Sequence, residues 1–263
     1  MFSEADLLSK IESGLYASWH AAFALNDTPF ISMKPEYLTT IFLGIHLSDW
    51  LNKDHPSDRY LVRFEERTKD VATRAFPPLP LPYRPRNVHG RAKKDSGEEG
   101  SVDLVVYRQD SFFPETVAVF EVKNFDQSND LLAKDVERNL EFMQLTDSLK
   151  SNQIHFGVLT FFLHDKSSVV KEQADQFLAD RTAEFSAIAT KYNIPGISSK
   201  LVLKTLVNYP SLFSKDALDP DEDGRPAIES QENHHIAFGV ILLQRNLTIP
   251  SSGLPAAAAH AKR

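Results

Sequence analysis

The sequence contains no cysteine in 263 residues. This excludes a disulfide framework and a thiolate zinc site, and it fits an intracellular, cytoplasmic protein best. No apolar run is long enough to span a membrane. The first residues include Ser3, Glu4 and Asp6 rather than the basic and apolar regions of a signal peptide. A positive balance is also missing. The formal net charge of −7 argues against a general, whole-surface affinity for nucleic acid, so any contact with phosphates must use a local basic patch. There is no internal repeat. What remains is an ordinary globular composition, 42% hydrophobic and 25% charged, on a chain long enough for one large domain. We read residues 1–250 as that domain and 251–263, rich in Ser, Pro and Ala, as a frayed tail.

The most informative stretch is Val117-Ala118-Val119-Phe120-Glu121-Val122-Lys123. Its apolar run reads as a strand buried on both faces. It ends on two opposite charges one residue apart. Residues i and i+2 of a strand share a face, so Glu121 and Lys123 project together while Val122 points into a core. A charged pair at the end of a buried strand is costly without compensation. A second strand, residues 100–108, precedes it, and a turn closed by Pro114 separates the two. A hairpin symmetric about Phe112 brings Asp103 directly opposite Glu121, about 5 Å away at Cβ. Two carboxylates so placed repel one another. A divalent cation would convert that repulsion into a binding site, because Mg²⁺ takes one or two carboxylates with water and phosphate oxygens.

The remaining elements follow from periodicity. Residues 3–25 form an amphipathic helix capped by Ser3, with Leu7, Leu8, Ile11, Leu15, Trp19 and Phe23 at helical spacing. A second helix runs from Lys34 to Leu51, with Leu38, Ile41, Phe42, Ile45 and Trp50 on its buried side. Tyr60–Glu65 alternates as a strand beside the one bearing Asp103. Helices are expected over 130–150, with Leu131, Leu132, Val136, Leu140, Met143 and Leu149 as an apolar stripe, and over 169–192. Strands are expected over 154–163 and 236–244, and residues 201–207 read as strand or helix. Asp219, Asp221 and Asp223 do not make a calcium loop, because Ser230 stands where the closing Glu belongs. His234 and His235 are adjacent on a strand and face opposite ways, which favours structural or solvated roles.

Residues 76–100 change character. Prolines at 77, 78, 80, 82 and 85 exclude regular structure. Arg84, Arg86, His89, Arg91, Lys93 and Lys94 then form the densest basic stretch, leading directly to Asp103. Most charge runs are simply solvated. Its position before Asp103 favours a phosphate-contacting loop.

Asp, then Glu-x-Lys on the next strand, resembles the PD-(D/E)XK nuclease superfamily. The resemblance is carried by Gly100-Ser101-Val102-Asp103 and Glu121-Val122-Lys123, with Val102 in place of the proline of the family's name. It implies an α/β fold with a restriction-endonuclease-like αβββαβ core, a mixed central sheet flanked by helices. It also implies metal-dependent phosphodiester hydrolysis, most often of DNA. Asp103, Glu121 and the Val122 carbonyl would hold Mg²⁺ or Mn²⁺, and Lys123 would position the nucleophile or stabilise the transition state. Glu36, in Pro35-Glu36-Tyr37-Leu38, resembles the acidic residue that members supply from an early helix. Its other reading is a surface carboxylate favoured by the helix dipole. Glu65 and Glu66 are rival candidates for a third acidic ligand, but their favoured reading is a strand end or the start of a helical turn.

No helicase motif or base-reading module accompanies the site, so the expected nucleic-acid partner, DNA, would be met with help from a partner subunit, as in a phage-defence system, or by a homodimer. Two other classes stay open: an inactive member of the fold that binds nucleic acid or serves assembly, and an unrelated α/β protein in which Glu121 and Lys123 are a structural ion pair.

Overall fold

The computed structural model describes residues 2–25, 35–76, 100–109, 114–125, 127–145, 152–165, 171–213 and 231–246. The elements, in chain order, are α1 (Glu4–Leu25), α2 (Pro35–Asp54), β1 (Tyr60–Arg67), α3 (Thr68–Thr73), β2 (Ser101–Arg108) and β3 (Glu115–Phe125). They continue with α4 (Asn129–Gln144), β4 (Phe156–Asp165), α5 (Lys171–Lys191), β5 (Ile197–Phe213) and β6 (Gln231–Arg245). The strands form a six-stranded sheet in the order β1-β2-β3-β4-β6-β5. Only the β3–β4 pair is parallel; the other neighbours are antiparallel. A parallel pair needs a crossover, and α4 supplies it.

Alternation along the strands divides the core into two layers. Val105, Val119, Phe161 and Ile241 point to one face and meet Leu132, Val136 and Leu140 of α4 and Phe185 and Ala189 of α5. Leu104, Phe120, Val158 and Val240 point to the other and meet Leu7, Ile11 and Leu15 of α1 and Leu43 and Leu47 of α2. Helices thus flank both faces of a mixed sheet, and the central strands are apolar on both sides.

The expected cap of α1 is present: the Asp6 amide donates to Ser3 Oγ at 3.1 Å, and the Ser3 hydroxyl donates to Asp6 Oδ2 at 2.6 Å. The buried face of α2 differs from expectation. Ile45 is exposed, and Leu43, Leu47, Trp50 and Leu51 carry the core contact. The helix is apolar on more than one side, and Gly44 decides its orientation: a Cβ there would lie 2.2 Å from the Phe64 ring of β1. Leu131 of α4 is likewise exposed.

Helix α4 stops at Gln144 rather than running to 150, and Leu145 is extended with ψ 134°. The end is fixed from outside: Asn152 Nδ2 donates to the carbonyls of Phe142, Met143 and Leu145, at the last turn and its cap. Residues 201–207 belong to strand β5, which starts at Ile197, and β6 begins at Gln231, so His234 and His235 lie within it. His235 is buried, as a structural role requires. Helix α3 was not anticipated. Residues 77–99, with Arg84, Arg86, Arg91, Lys93 and Lys94, and the tail from 247 lie outside the described residues.

Candidate functional site

Strands β2 and β3 pair in the expected register, with Leu104 opposite Phe120 and Val105 opposite Val119. The hairpin has a bulge nearer its turn, between Val106 and Tyr107. Main-chain pairing ends at Leu104. One residue beyond, the Asp103 side chain takes over: the Val122 amide donates to Asp103 Oδ2 at 2.7 Å. The two strands therefore part at the position where both carry a carboxylate, and Asp103 bridges the opening.

Glu121 is fully buried. Its carboxyl lies on the sheet face that α4 covers, because Glu121 shares a face with Val119. The crossover brings α4 back over the end of β3. Its apolar stripe packs on the sheet, and Asn139 Nδ2 donates to the Val158 carbonyl at 3.0 Å, fixing the helix to β4. Asp135 and Arg138, on the flank of that stripe, then meet the charged end of β3.

Lys123 is the centre of the group. Its Nζ lies 3.6 Å from Asp135 Oδ2, 3.7 Å from Glu121 Oε2 and 3.9 Å from Asp103 Oδ2. Arg138 Nη2 contacts Glu121 Oε2 and stands 3.9 Å from Asp135 Oδ1. This ion pair lacks hydrogen-bonding geometry. Neither Glu121 oxygen accepts a hydrogen bond from a described residue, and Arg138 Nε is also buried without an acceptor. Four carboxyl groups, counting Glu36, thus face two cations, a formal deficit of two positive charges when all four are ionised.

The charges perturb one another in a consistent way. Burial pushes the Glu121 carboxyl up to about 8, even though Arg138 and Lys123 oppose the shift. Burial alone would lower Lys123, but Asp135, Glu121, Asp103 and Glu36 together raise it. Glu36 is raised by burial and by Asp103, Asp135 and Glu65, against the pull of Lys123. Asp135 is raised chiefly by burial, against Lys123 and Arg138. The upward shifts on Glu121 and Lys123 have different origins: Glu121 has lost all its water, whereas Lys123 is surrounded by carboxylates.

The structure therefore brings together Asp103, Glu121 and Lys123 and sets Glu36, from the first turn of α2, within their electrostatic reach. The amide of Val122 faces Asp103; its carbonyl points to the same strand edge. Glu66 belongs to a different network, accepting from Tyr107 Oη and Arg74. Glu65 is exposed, accepts from the Ser101 hydroxyl at 2.9 Å and has φ 51°. The sequence reading missed Asp135 and left Arg138 without a role. The available signal was their i, i+3 spacing beside the apolar stripe of the helix that follows Glu-x-Lys.

Among the described residues, no three carboxylate or imidazole groups converge closely enough to hold a metal ion as they stand. The charges in contact with these carboxylates are Lys123 and Arg138. The donor set nevertheless suits a hard divalent cation, being all oxygen, with both oxygens of the buried Glu121 unsatisfied by hydrogen bonds. Among the described residues, no helix is long and apolar enough to cross a membrane. No family model matches the chain, and no curated protein or solved structure matches it.

Proposed function

We propose that this chain is a metal-dependent nuclease of the PD-(D/E)XK type that hydrolyses the phosphodiester bonds of DNA. One observation carries the reading: Lys123 Nζ lies within 4 Å of both Asp103 and Glu121, where two paired strands part. The order α2, β1, β2, β3, α4, β4, with β1-β2-β3 antiparallel and β3-β4 parallel, supports a restriction-endonuclease-like αβββαβ core. Helix α3 and residues 74–100 are then an insertion, and α1, α5, β5 and β6 an elaboration.

Asp103, Glu121 and the Val122 carbonyl would hold Mg²⁺ or Mn²⁺, with Glu36 joining directly or through water. Such an ion supplies neutralising charge at the phosphate and acidifies a water molecule. The protein's own part is positional. Strand β3 fixes Glu121 and Lys123 two residues apart on one face. Asp103 is oriented by the Val122 amide. Lys123, cationic at neutral pH and held among carboxylates, offers its ammonium to the attacking water or to charge developing on the phosphate. Arg84, Arg86, Arg91, Lys93 and Lys94 would grip the backbone without reading sequence. No base-reading element is assigned, so targeting falls to a partner subunit, as in a phage-defence system, or to a second copy of the chain.

The test is magnesium-dependent cleavage of supercoiled plasmid and of linear single- and double-stranded DNA. Wild type is compared with Lys123→Ala and Asp103→Asn. Cutting by wild type alone supports a nuclease with this site. Equal cutting by all three rejects the site. No cutting by any, with or without candidate partners, favours an inactive member of the fold.

A further inference from the structure

Glu121 cannot move to find a counter-charge. It is fully buried where β2 and β3 part, is paired with Leu159 of β4, and any compensation must come to it. Two cations do so. Lys123 has three carboxylates around it at 3.6–3.9 Å. Arg138 has two, Glu121 in direct contact and Asp135 Oδ1 at 3.9 Å.

The Arg138 contact is also a poor one for this pair of groups. A guanidinium usually grips a carboxylate through two parallel hydrogen bonds. Here neither Glu121 oxygen accepts a hydrogen bond from a described residue, and Arg138 Nε has no acceptor. The Arg138 side chain is partly exposed and so has a route to solvent that Glu121 lacks. Its planar fork is matched to phosphate at least as well as to carboxylate.

We propose that Arg138 is an exchangeable counter-ion: it neutralises Glu121 in the protein without a divalent cation, yields that oxygen when the cation binds, and then engages the substrate phosphate. This rests on the nuclease reading of the site. Arg138 is thus a positioning residue for the carboxylate and a contact residue for the phosphate, in two successive states. Lys123, with three carboxylates around it, stays in place through both.

The experiment measures Mn²⁺ binding by isothermal titration calorimetry, with no nucleic acid present. It compares wild type, Arg138→Met, Arg138→Gln, Arg138→Lys and Asp103→Asn, each checked for folding by circular dichroism. Arg138→Met keeps the length and removes the charge. It is expected to bind Mn²⁺ about tenfold more tightly, the order expected when one charge-assisted contact no longer has to be broken. Arg138→Gln, the second neutral variant should Arg138→Met misfold, shifts the same way. Arg138→Lys stays near wild type, and Asp103→Asn binds more weakly. At saturating Mn²⁺, Arg138→Met also shows a raised KM for DNA. Unchanged or weaker Mn²⁺ binding in both neutral variants, with Asp103→Asn still impaired, overturns the exchange and leaves the metal site standing. No Mn²⁺ binding by any protein overturns both.

Discussion

Lys123 Nζ is closer to Asp135 Oδ2, at 3.6 Å, than to either carboxylate of the strand hairpin. The lysine of the Glu-x-Lys motif is thus held from α4 as well as from its own sheet. Asp135→Asn removes that charge while conserving shape. Without it, Lys123 keeps its bonds to Asp103 and Glu121 but loses the constraint from the helix side. We expect kcat for DNA cleavage to fall by about 10- to 100-fold, the usual cost of losing such a supporting contact. KM should stay near the wild-type value. An unchanged kcat would remove Asp135 from the site.

Glu65 is the non-glycine described residue with positive φ, 51°. It interrupts the β1 ladder: Phe64 pairs with Leu104 and Glu66 with Val102, while Glu65 has no partner in the pairing. The left-handed conformation costs an L-residue about 1–2 kcal/mol. Glu65→Gly relieves that strain and gives up an exposed bond to Ser101. A net gain of up to about 1 kcal/mol is expected, read as a higher urea midpoint with unchanged m-value. Since Glu65 also adds negative charge near Glu36, the variant tests a further point. Cleavage that survives the substitution excludes Glu65 as an essential ligand.

How much of this could be read from the chain depends on whether the signal was local. The hairpin register was legible because period-2 alternation and one turn fix it, and so was Asp103 beside Glu121. The buried stripe of α1 and the cap at Ser3 were legible for the same reason. The face of α2 was not, because apolar residues occur on several of its sides and the choice is made by Phe64 lying against Gly44. The end of α4 was hidden because its cap, Asn152, follows the helix at a distance in the sequence. Asp135 and Arg138 escaped because a polar pair on a helix flank looks the same whether it faces solvent or a buried carboxylate. Only the crossover geometry distinguishes the two.

Strands β4 and β6 are drawn together by a close contact of the same kind. A Cβ on Gly239 would lie 2.2 Å from the ring of Phe161, itself fully buried between β4 and α5. The ring has no free space to retreat into, as it packs on Phe185 at 4.9 Å. Gly239→Ala should therefore destabilise by about 1–3 kcal/mol through overpacking. Combining it with Phe161→Leu, which vacates the ring's volume, should recover part of the loss. Additive effects of the two substitutions in thermal unfolding would show that the contact is not the cause.

His155 links stability to pH, away from the candidate site. It is buried, its Nδ1 has no hydrogen-bond partner among the described residues, and its pKa is lowered to about 4 by burial and by Arg245 and Arg108. The ordinary value is 6.5. Above pH 6.5 the imidazole is neutral in both folded and unfolded chains, and it contributes no pH dependence. Between pH 6.5 and about 4 the unfolded chain takes up a proton that the folded protein refuses. Stability falls across that window, by on the order of 3 kcal/mol at its acid end. His155→Leu cannot take up this proton in either state. Its unfolding free energy should decline less steeply from pH 6.5 to 4, by close to one proton in the slope, while the two proteins keep parallel profiles from pH 7 to 8. Chemical denaturation at half-unit pH steps makes the comparison. The carboxylates common to both chains cancel in the difference, so equal slopes below pH 6.5 would mean that His155 is protonated in the folded protein.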